Sequence, residues 1–145
     1  MEIRQLGHVV LNVRDRDRSE RFYTEVLGLA VAARMDMPPM TFFTLGNHHD
    51  FAIAEVGIGA PEVPPNCPGL AHVAFKVGDT LDELRQAKSD LEARGVEIMF
   101  AFDHTVSQSI YITDPDGNAI EVYVDVSDVW RTDPNAVAAI APLEL

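Results

Sequence analysis

Two histidines and a glutamate stand where polar side chains are unexpected. The stretches LGHVVLNV and LAHVAFKV agree at most positions, and each contains one histidine, His8 in the first and His72 in the second. Glu121 lies inside a later apolar run, AIEVYV, where an unpaired charge would be costly to bury. Imidazole and carboxylate groups bind metal ions and transfer protons, so these three residues are the first candidates for chemistry.

Strand periodicity places all three candidates on one face. Side chains alternate across a β-strand, so residues two apart share a face. In four predicted strands one face is aliphatic throughout, which suits packing under helices. The opposite face carries polar and aromatic side chains among small ones: His8, His72, Tyr111, Glu121 and Tyr123. A solvated face would carry Lys, Glu and Thr throughout, so the pattern predicts a curved sheet that lines a cavity.

Two imidazoles and one carboxylate on a concave surface form the ligand set of an octahedral metal centre with open positions. This arrangement is typical of non-haem Fe(II), and its ligands also suit Mn, Ni or Zn. No thiolate accompanies them, which disfavours a structural zinc site. The sequence therefore predicts one divalent metal, preferably Fe(II), bound by His8, His72 and Glu121.

The elements that must position these residues form a tandem repeat of a βαβββ module. In the first module Ser19 is the predicted N-cap and Gly28 ends the helix. In the second, Thr80 and Glu83 have capping-box spacing, and Gly95 ends the helix. The strands predicted after the two helices span about 30–35, 41–46, 50–56, 96–103, 108–113 and 119–125.

The predicted fold class is α+β, in a single domain that covers residues 1–145. Module 1 spans about 3–56 and module 2 about 70–125, and the linker 57–69 is rich in Gly and Pro. The tail, 126–145, contains the only tryptophan, Trp130. Whether Trp130 closes the cavity or docks on a partner subunit stays open.

Composition limits the partners of the protein. The formal net charge of −12 argues against nucleic acid and against anionic membrane surfaces. The sequence contains no apolar run of about 18 residues, and its N-terminus has no signal-peptide pattern, so no membrane span is expected. The one cysteine, Cys67, cannot form an internal disulfide, which fits a reducing cytoplasm. We expect a cytoplasmic protein that acts on a small molecule.

The paired modules with His8, His72 and Glu121 resemble the vicinal oxygen chelate superfamily, the glyoxalase, bleomycin resistance and extradiol dioxygenase group. The resemblance covers about residues 3–125. It implies two tandem βαβββ modules that form a U-shaped eight-stranded half-barrel with the helices outside, around a divalent metal. It also implies a substrate that binds this metal through two adjacent oxygens.

A longer motif, HTVSQSIYITDPDGNAIE, resembles the signature of type I extradiol ring-cleaving dioxygenases. There Glu121 would be an iron ligand, and Tyr111 and His104 would lie beside the substrate. The segment GNHHDFAIAEV is similar to the double-histidine segment of the same enzymes, which implies that His49 is the acid/base. One departure is Phe102, where the signature prefers Gly, Asn or Thr. Many extradiol enzymes also carry an extra, non-catalytic pair of modules, which these 145 residues lack.

The resemblance implies Fe(II)-dependent extradiol cleavage of a catechol-type diol with O2. A catechol must lose a proton to chelate the metal, and His49 can accept that proton and return it later. The Tyr111 hydroxyl can orient the substrate ring by a hydrogen bond, with His104 as a second hydrogen-bonding group. The expected partners are a diol and O2, without nucleic acid or membrane, and a homodimer stays open.

Two other activities use the same triad. A glyoxalase I-like lyase or isomerase would need a fourth protein ligand from the last strand of the first module. Apolar Ala52 or Ile53 occupies the position opposite Glu121 in the repeat, although a register slip could bring in Glu55. A fosfomycin-type transferase shares the triad, but its activity would not require His49 together with Tyr111.

Overall fold

The computed structural model describes residues 1–62, 64 and 67–145. Val63, Pro65 and Asn66 of the predicted linker lie outside the described residues. The chain divides into two compact units, Met1–Cys67 and Pro68–Leu145. Each contains one β-sheet and at least one helix, so the predicted α+β class is confirmed.

The first unit contains a four-stranded sheet with the order β1-β4-β3-β2. The pair formed by the edge strand β1 and its neighbour β4 is parallel, and the other pairs are antiparallel. The strands are β1 Val9–Val13, β2 Ala30–Asp36, β3 Pro39–Thr44 and β4 Phe51–Glu55. All four predicted strands of this module are present, but β1 begins one residue after His8.

The first helix begins earlier than predicted. Helix α1 spans Arg16–Arg21 and continues into a π-helical turn, Phe22–Val26. Its N-cap is Asp15, whose carboxylate accepts a hydrogen bond from the Arg18 backbone N–H at 2.9 Å. Ser19 is therefore a buried residue inside the helix, and its prediction as the N-cap is wrong. Asp15 is the N-cap because its carboxylate makes the capping hydrogen bond, and its negative charge also interacts favourably with the helix N-terminus.

Aromatic rings form the core of the first unit. The Tyr23 ring lies 4.8 Å from that of Phe51 and 5.7 Å from that of Phe43, centroid to centroid, and all three residues are buried. Leu11 and Val13 of β1 are buried on the same side, as strand alternation predicts. This packing fixes the sheet whose ends carry the histidines of the first unit.

The second unit contains a five-stranded sheet with the order β5-β8-β7-β6-β9. Strands β5 and β8 are parallel, and the remaining pairs are antiparallel. The strands are β5 Val73–Gly78, β6 Phe100–Asp103, β7 Ser107–Thr113, β8 Ala119–Asp125 and β9 Ala141–Pro142. Strand β9 comes from the tail, for which the sequence predicts no strand.

Helix α2, Leu81–Ala93, begins and ends as predicted. The Thr80 hydroxyl accepts from the Glu83 N–H, and the Glu83 carboxylate accepts from the Asp79 N–H at 2.9 Å. Gly95 adopts a positive φ of 77°, a backbone conformation that residues other than glycine rarely adopt. Leu84 on this helix is fully buried against the sheet.

The aliphatic faces of β7 and β8 are buried as predicted, but that of β5 is not continuous. Five residues of β7 and β8 have almost no exposed surface: Ile110, Ile112, Ile120, Val122 and Val124. Val77 of β5 is instead 44% exposed. The cause is an irregularity in the β5–β8 register between Lys76 and Gly78, which interrupts the alternation of side chains between the two faces at Val77.

The turn between β7 and β8 is held by one buried carboxylate. Asp114 accepts hydrogen bonds from the backbone N–H groups of Asp116 and Asn118, both at 2.8 Å, and from the Asn118 side chain. Gly117 supplies the positive φ of 85° that the turn requires. The turn fixes the register in which Tyr111 lies opposite Glu121.

We expect Asp114→Ala to lower the free energy of unfolding by about 2 kcal/mol, because it leaves backbone donors of the turn without an acceptor. Urea unfolding followed by circular dichroism measures the change. Asp114→Asn, which keeps one acceptor oxygen, is the matched control and should lose less. An Asp114→Ala variant as stable as the wild type would contradict this account of the turn.

Within the described part of the chain, no helix is both long and apolar enough to cross a bilayer.

Candidate functional site

Histidine rings cluster at one end of the first sheet. His8 immediately precedes β1, and its ring centroid lies 4.2 Å from that of His49, which lies two residues before β4. The Nδ1 atoms of His48 and His49 are 2.7 Å apart, a hydrogen-bond distance. Phe42 of β3 packs edge-on against His49 at 5.4 Å. The predicted ligand His8 and the predicted acid/base His49 are therefore neighbours.

The environment of His49 favours its neutral form. Partial burial lowers the pKa of the His49 imidazole, and positive charge on His8 or His48 would lower this pKa further. The Asp50 carboxylate acts in the opposite direction. A ring that is neutral near pH 7 is able to accept a proton.

In the second unit, the buried carboxylate of Glu121 has two polar partners. Glu121 is only 8% exposed, and its Oε2 atom lies 3.0 Å from Nε2 of His72, which immediately precedes β5. The Ser109 hydroxyl of β7 donates a hydrogen bond to Oε1 at 2.5 Å. Both oxygens of the buried carboxylate therefore have a polar partner, as burial of a charge requires.

Tyr111 lies directly opposite Glu121 in the β7–β8 register. Its ring meets that of His72 edge-on at 5.6 Å. Burial raises the pKa of the Tyr111 hydroxyl to about 12, and the nearby Glu121 carboxylate contributes to this rise. Tyr111 therefore remains a neutral hydroxyl group that can both donate and accept a hydrogen bond.

His104 follows β6, and each of its ring nitrogens has a hydrogen-bond partner. Its Nδ1 lies 2.9 Å from the backbone oxygen of Ala139 in the C-terminal tail, and its Nε2 lies 3.3 Å from the Tyr111 hydroxyl. Phe102 packs near both partners, with its ring 5.8 Å from Tyr111 and 6.2 Å from His104. The bulky residue at the departure from the extradiol signature thus forms an apolar wall beside Tyr111.

The strand registers show which residue of the first unit corresponds to Glu121. In the second unit Ala74, two residues after His72, pairs with Glu121. In the first unit Val10, two residues after His8, pairs with Ala52. The counterpart of Glu121 is therefore Ala52, which has no ligand atom.

Glu55 has a different role. Its carboxylate accepts a hydrogen bond from the Arg16 N–H at 2.9 Å, at the beginning of α1. It pairs with Val13, at the opposite end of β1 from His8. This position favours a helix-capping role for Glu55 over that of a fourth metal ligand.

The structure brings the predicted site residues together in two groups, one in each unit. His8 lies with His49, and His72 lies with Glu121, Tyr111 and His104. Among the residues that the structure describes, no three His, Cys, Asp or Glu side chains meet closely enough to hold a metal ion. The three-residue ligand set therefore stays a prediction.

The pair formed by His72 and Glu121 fits a metal ion. Two ligand atoms in adjacent octahedral positions, each about 2.1 Å from the ion, lie about 3.0 Å apart. The Nε2 to Oε2 distance is 3.0 Å. The nitrogen and oxygen donors also match the preferences of Fe, Mn, Ni and Zn.

Sequence reasoning missed two members of the second group. Ser109 shares strand parity with Tyr111, so its place on the same face as Glu121 was open to prediction. The Ala139 carbonyl had no signal in the sequence, because a backbone oxygen can come from any residue of the tail.

A separate cavity of about 640 Å³ in the second unit is lined in part by Trp130. Its lining comes from the ends of β5 and β8, from the β6–β7 loop and from the tail: Lys76, Asp79, Val106, Asp125, Val126, Ser127, Asp128, Trp130, Arg131 and Val137. The Lys76 amino group bridges Asp79 at 2.5 Å and Asp125 at 2.8 Å. These ion pairs join the ends of β5 and β8, so we assign this region a structural role.

Comparison with known proteins relates the chain to a superfamily that includes dioxygenases. Residues 5–122 match the family model described as the Glyoxalase/Bleomycin resistance protein/Dioxygenase superfamily. The chain is 36% identical over 126 residues to biphenyl-2,3-diol 1,2-dioxygenase 3 of Rhodococcus globerulus, an alignment that covers 83% of this chain and 63% of that protein. It is 33% identical over 130 residues to the catechol-2,3-dioxygenase of Bacillus subtilis (strain 168), covering 88% of this chain and 44% of that protein. The chain thus spans less than two thirds of either relative.

A solved structure supports the fold. The glyoxylase/bleomycin resistance protein/dioxygenase domain from Frankia sp. EAN1pec superposes with a TM-score of 0.71 at 24% identity, covering 86% of this chain and 99% of that one. At this level of identity the similarity shows the fold alone.

Proposed function

The chain belongs to the glyoxalase/bleomycin resistance protein/dioxygenase superfamily, and from that premise we propose that it is a metal-dependent enzyme that cleaves a catechol-type diol by the extradiol route. The observation that carries the proposal is the group formed by Glu121, His72, Tyr111 and His104 on one sheet. It combines a charged metal-ligand pair with two hydrogen-bonding groups for a substrate. The dioxygenase relatives in the comparison support the same reaction class.

His8, His72 and Glu121 would hold the metal, with Fe(II) as the preferred ion. The two histidines occupy equivalent positions in the two units. His8 lies two residues before Val10, which pairs with Ala52, and His72 lies two residues before Ala74, which pairs with Glu121. When bound, Fe(II) supplies a Lewis acid with open positions for two adjacent substrate oxygens and for O2.

The other residues bind and orient the substrate. Tyr111 offers a neutral hydroxyl group beside the metal ligands, and Phe102 offers an apolar surface for the ring. His49, favoured in its neutral form, takes the proton that a diol must release and returns it later. Ser109 holds the Glu121 carboxylate in one orientation.

A glyoxalase I-like lyase or isomerase is the alternative. That activity would call for a ligand at the position of Ala52 or for a displaced Glu55. Ala52 has none, and Glu55 caps α1. Both observations favour the dioxygenase.

The direct test is anaerobic reconstitution of the protein with Fe(II), followed by a diol and O2. We use catechol and biphenyl-2,3-diol, the compounds in the names of the relatives. The proposal predicts oxygen uptake together with a coloured ring-fission product. Tight Ni or Zn binding without turnover of either diol under Fe(II) would contradict the dioxygenase and favour the lyase.

We expect Ser109→Ala to weaken divalent-metal binding by about 10- to 100-fold, because the hydrogen bond that orients the Glu121 carboxylate is lost. Calorimetric titration with Ni²⁺, a probe that does not oxidise in air, measures the change. Ser107→Ala makes the same substitution two residues earlier on β7 and should bind Ni²⁺ like the wild type. Equal affinity in the two variants would show that Ser109 does not support a metal ligand.

A further inference from the structure

A straight row of side chains crosses the second sheet through the candidate site. Phe100 on β6 lies opposite Tyr111, Tyr111 lies opposite Glu121, and Glu121 pairs with Ala74 on β5. Residues directly opposite each other in paired strands project from the same face of a sheet. Adjacent strands are about 4.8 Å apart, so Phe100 lies about 10 Å from Glu121 along this row, beyond Tyr111.

Two phenylalanines form an aromatic wall at the β6 end of this row. The ring centroids of Phe100 and Phe102 are 6.0 Å apart, and the angle between the ring planes is 17°. Phe102 also meets the Tyr111 ring at 5.8 Å and 67°. Phe102 occupies the position where the extradiol signature prefers Gly, Asn or Thr. The aromatic wall, Phe100 with Phe102, is therefore a feature of this chain and does not follow from the resemblance.

The Phe100 ring is exposed although it is large and apolar. Its exposed fraction is 54%, whereas Phe102 is half-buried. The core of the second unit lies on the opposite face of β7, where Ile110 and Ile112 are buried. A single exposed apolar side chain would need no explanation, but Phe100 is continuous with Phe102 and through it with Tyr111. Its ring is thus available to an aromatic group bound on the Tyr111 side.

We propose that Phe100 and Phe102 are specificity-determining residues that bind an aromatic substituent of the diol. This inference rests on the proposed function, which places the diol ring beside Tyr111. With the diol oxygens directed towards Glu121, a second ring joined to the diol ring extends along the row past Tyr111 and reaches Phe100. Offset-stacked and edge-on contacts between aromatic rings stabilise binding beyond the burial of apolar area. The aromatic wall therefore favours a flat aryl substituent over a saturated ring of similar size.

The other end of the row does not suit such a substituent. Beyond Glu121 the same face carries Ala74 and, two residues further along β5, Lys76. The Lys76 amino group is paired with Asp79 and Asp125. An aromatic ring placed there would remove water from charged groups without replacing its hydrogen bonds. The substituent is therefore directed towards β6.

The test compares two diols that differ only in the flatness of their substituent, biphenyl-2,3-diol and its analogue with a cyclohexyl group in place of the phenyl group. The quantity measured is the ratio of kcat/KM for the phenyl diol to that for the cyclohexyl diol, with the Fe(II) protein. We expect Phe100→Leu, which keeps an apolar side chain without a ring, to lower this ratio by about five- to tenfold. Phe100→Tyr, which keeps the ring, should retain it. Equal ratios in the wild type and Phe100→Leu would overturn the proposal.

The matched control is Met99→Leu. Met99 is also an exposed apolar residue, but its neighbouring position has the opposite strand parity, so it does not share the face of Tyr111. Met99→Leu should keep the wild-type ratio, and circular dichroism should show all three variants folded. An equal loss in Met99→Leu would overturn the assignment to this face.

A binding experiment distinguishes this inference from the proposed function. The Ni²⁺-loaded protein is titrated calorimetrically with each diol in the absence of O2. Tighter binding of the phenyl diol that is lost in Phe100→Leu would support the aromatic wall, and if neither diol were then cleaved under Fe(II), the proposed reaction alone would fail. Cleavage of both diols with the same ratio in the wild type and Phe100→Leu would overturn the wall alone. Binding of neither diol would overturn both.

Discussion

Glu121→Gln is expected to lower kcat/KM for diol cleavage by more than about 1,000-fold, since metal-ion catalysis supplies several kcal/mol of transition-state stabilisation. The amide keeps the shape of the side chain and can still accept the Ser109 hydrogen bond, but it lacks the charge that attracts the ion. Metal affinity should fall with activity. Steady-state kinetics after anaerobic loading with Fe(II), and titration with Ni²⁺, measure the two quantities.

The control for this substitution is Glu97→Gln, which removes the same charge from an exposed position. It should leave metal binding and kinetics at wild-type values. Circular dichroism should give both variants the spectrum of the wild type. Retention of normal Ni²⁺ affinity by Glu121→Gln would remove Glu121 from the ligand set.

His49→Asn is expected to lower kcat by about 100- to 10,000-fold, the usual contribution of a general acid/base. The metal should bind as in the wild type, because His49 is not one of the proposed ligands. The expected result therefore separates proton transfer from metal binding. The measurements are kcat under saturating diol and the stoichiometry of bound Fe(II).

His48→Asn is the matched control for this second prediction. His48 makes a close Nδ1 to Nδ1 contact with His49, so its loss should reduce kcat only by about tenfold or less, the effect of one hydrogen bond. If His48→Asn lowered kcat more than His49→Asn does, the acid/base would be His48. If His49→Asn kept the wild-type kcat, His49 would have no catalytic role.

Much of the β7–β8 hairpin could be predicted because its strands pair in a regular register, so side chains alternate between the two faces throughout. Ile110 and Ile112 are buried, and Tyr111 shares the opposite face with Ser109 and Glu121. The Asp-Pro-Asp-Gly-Asn turn keeps this register because Asp114 binds its backbone. The sequence pattern alone thus predicts that Tyr111 and Glu121 share one face of the β7–β8 hairpin.

The rule fails where the backbone departs from regular geometry. Val77 is exposed because the β5–β8 register is irregular after Lys76, and neither residue signals this in the sequence. The predicted start of α1 is wrong for another reason. Asp15 and Ser19 are both good caps, and only the actual hydrogen bond to Arg18 decides between them.

Contacts made by backbone atoms are the least predictable part of the site. The residue type at position 139 has no bearing on its carbonyl, so no motif could have connected Ala139 to His104. That contact depends on the pairing of β9 with β6, which involves only two residues of the tail. Side-chain types can be read from the sequence, whereas a contact made by a distant backbone carbonyl can be identified only in the folded structure.

The most direct test of the central claim is the metal content of the His8→Ala variant after loading with excess Fe(II) and removal of free ion. The claim is that His8, His72 and Glu121 together hold one divalent metal. It predicts one ion per chain in the wild type and loss of the bound ion in His8→Ala, with the fold retained. A His8→Ala protein that keeps one tightly bound ion per chain would contradict the claim, because the metal would then not depend on the histidine of the first unit.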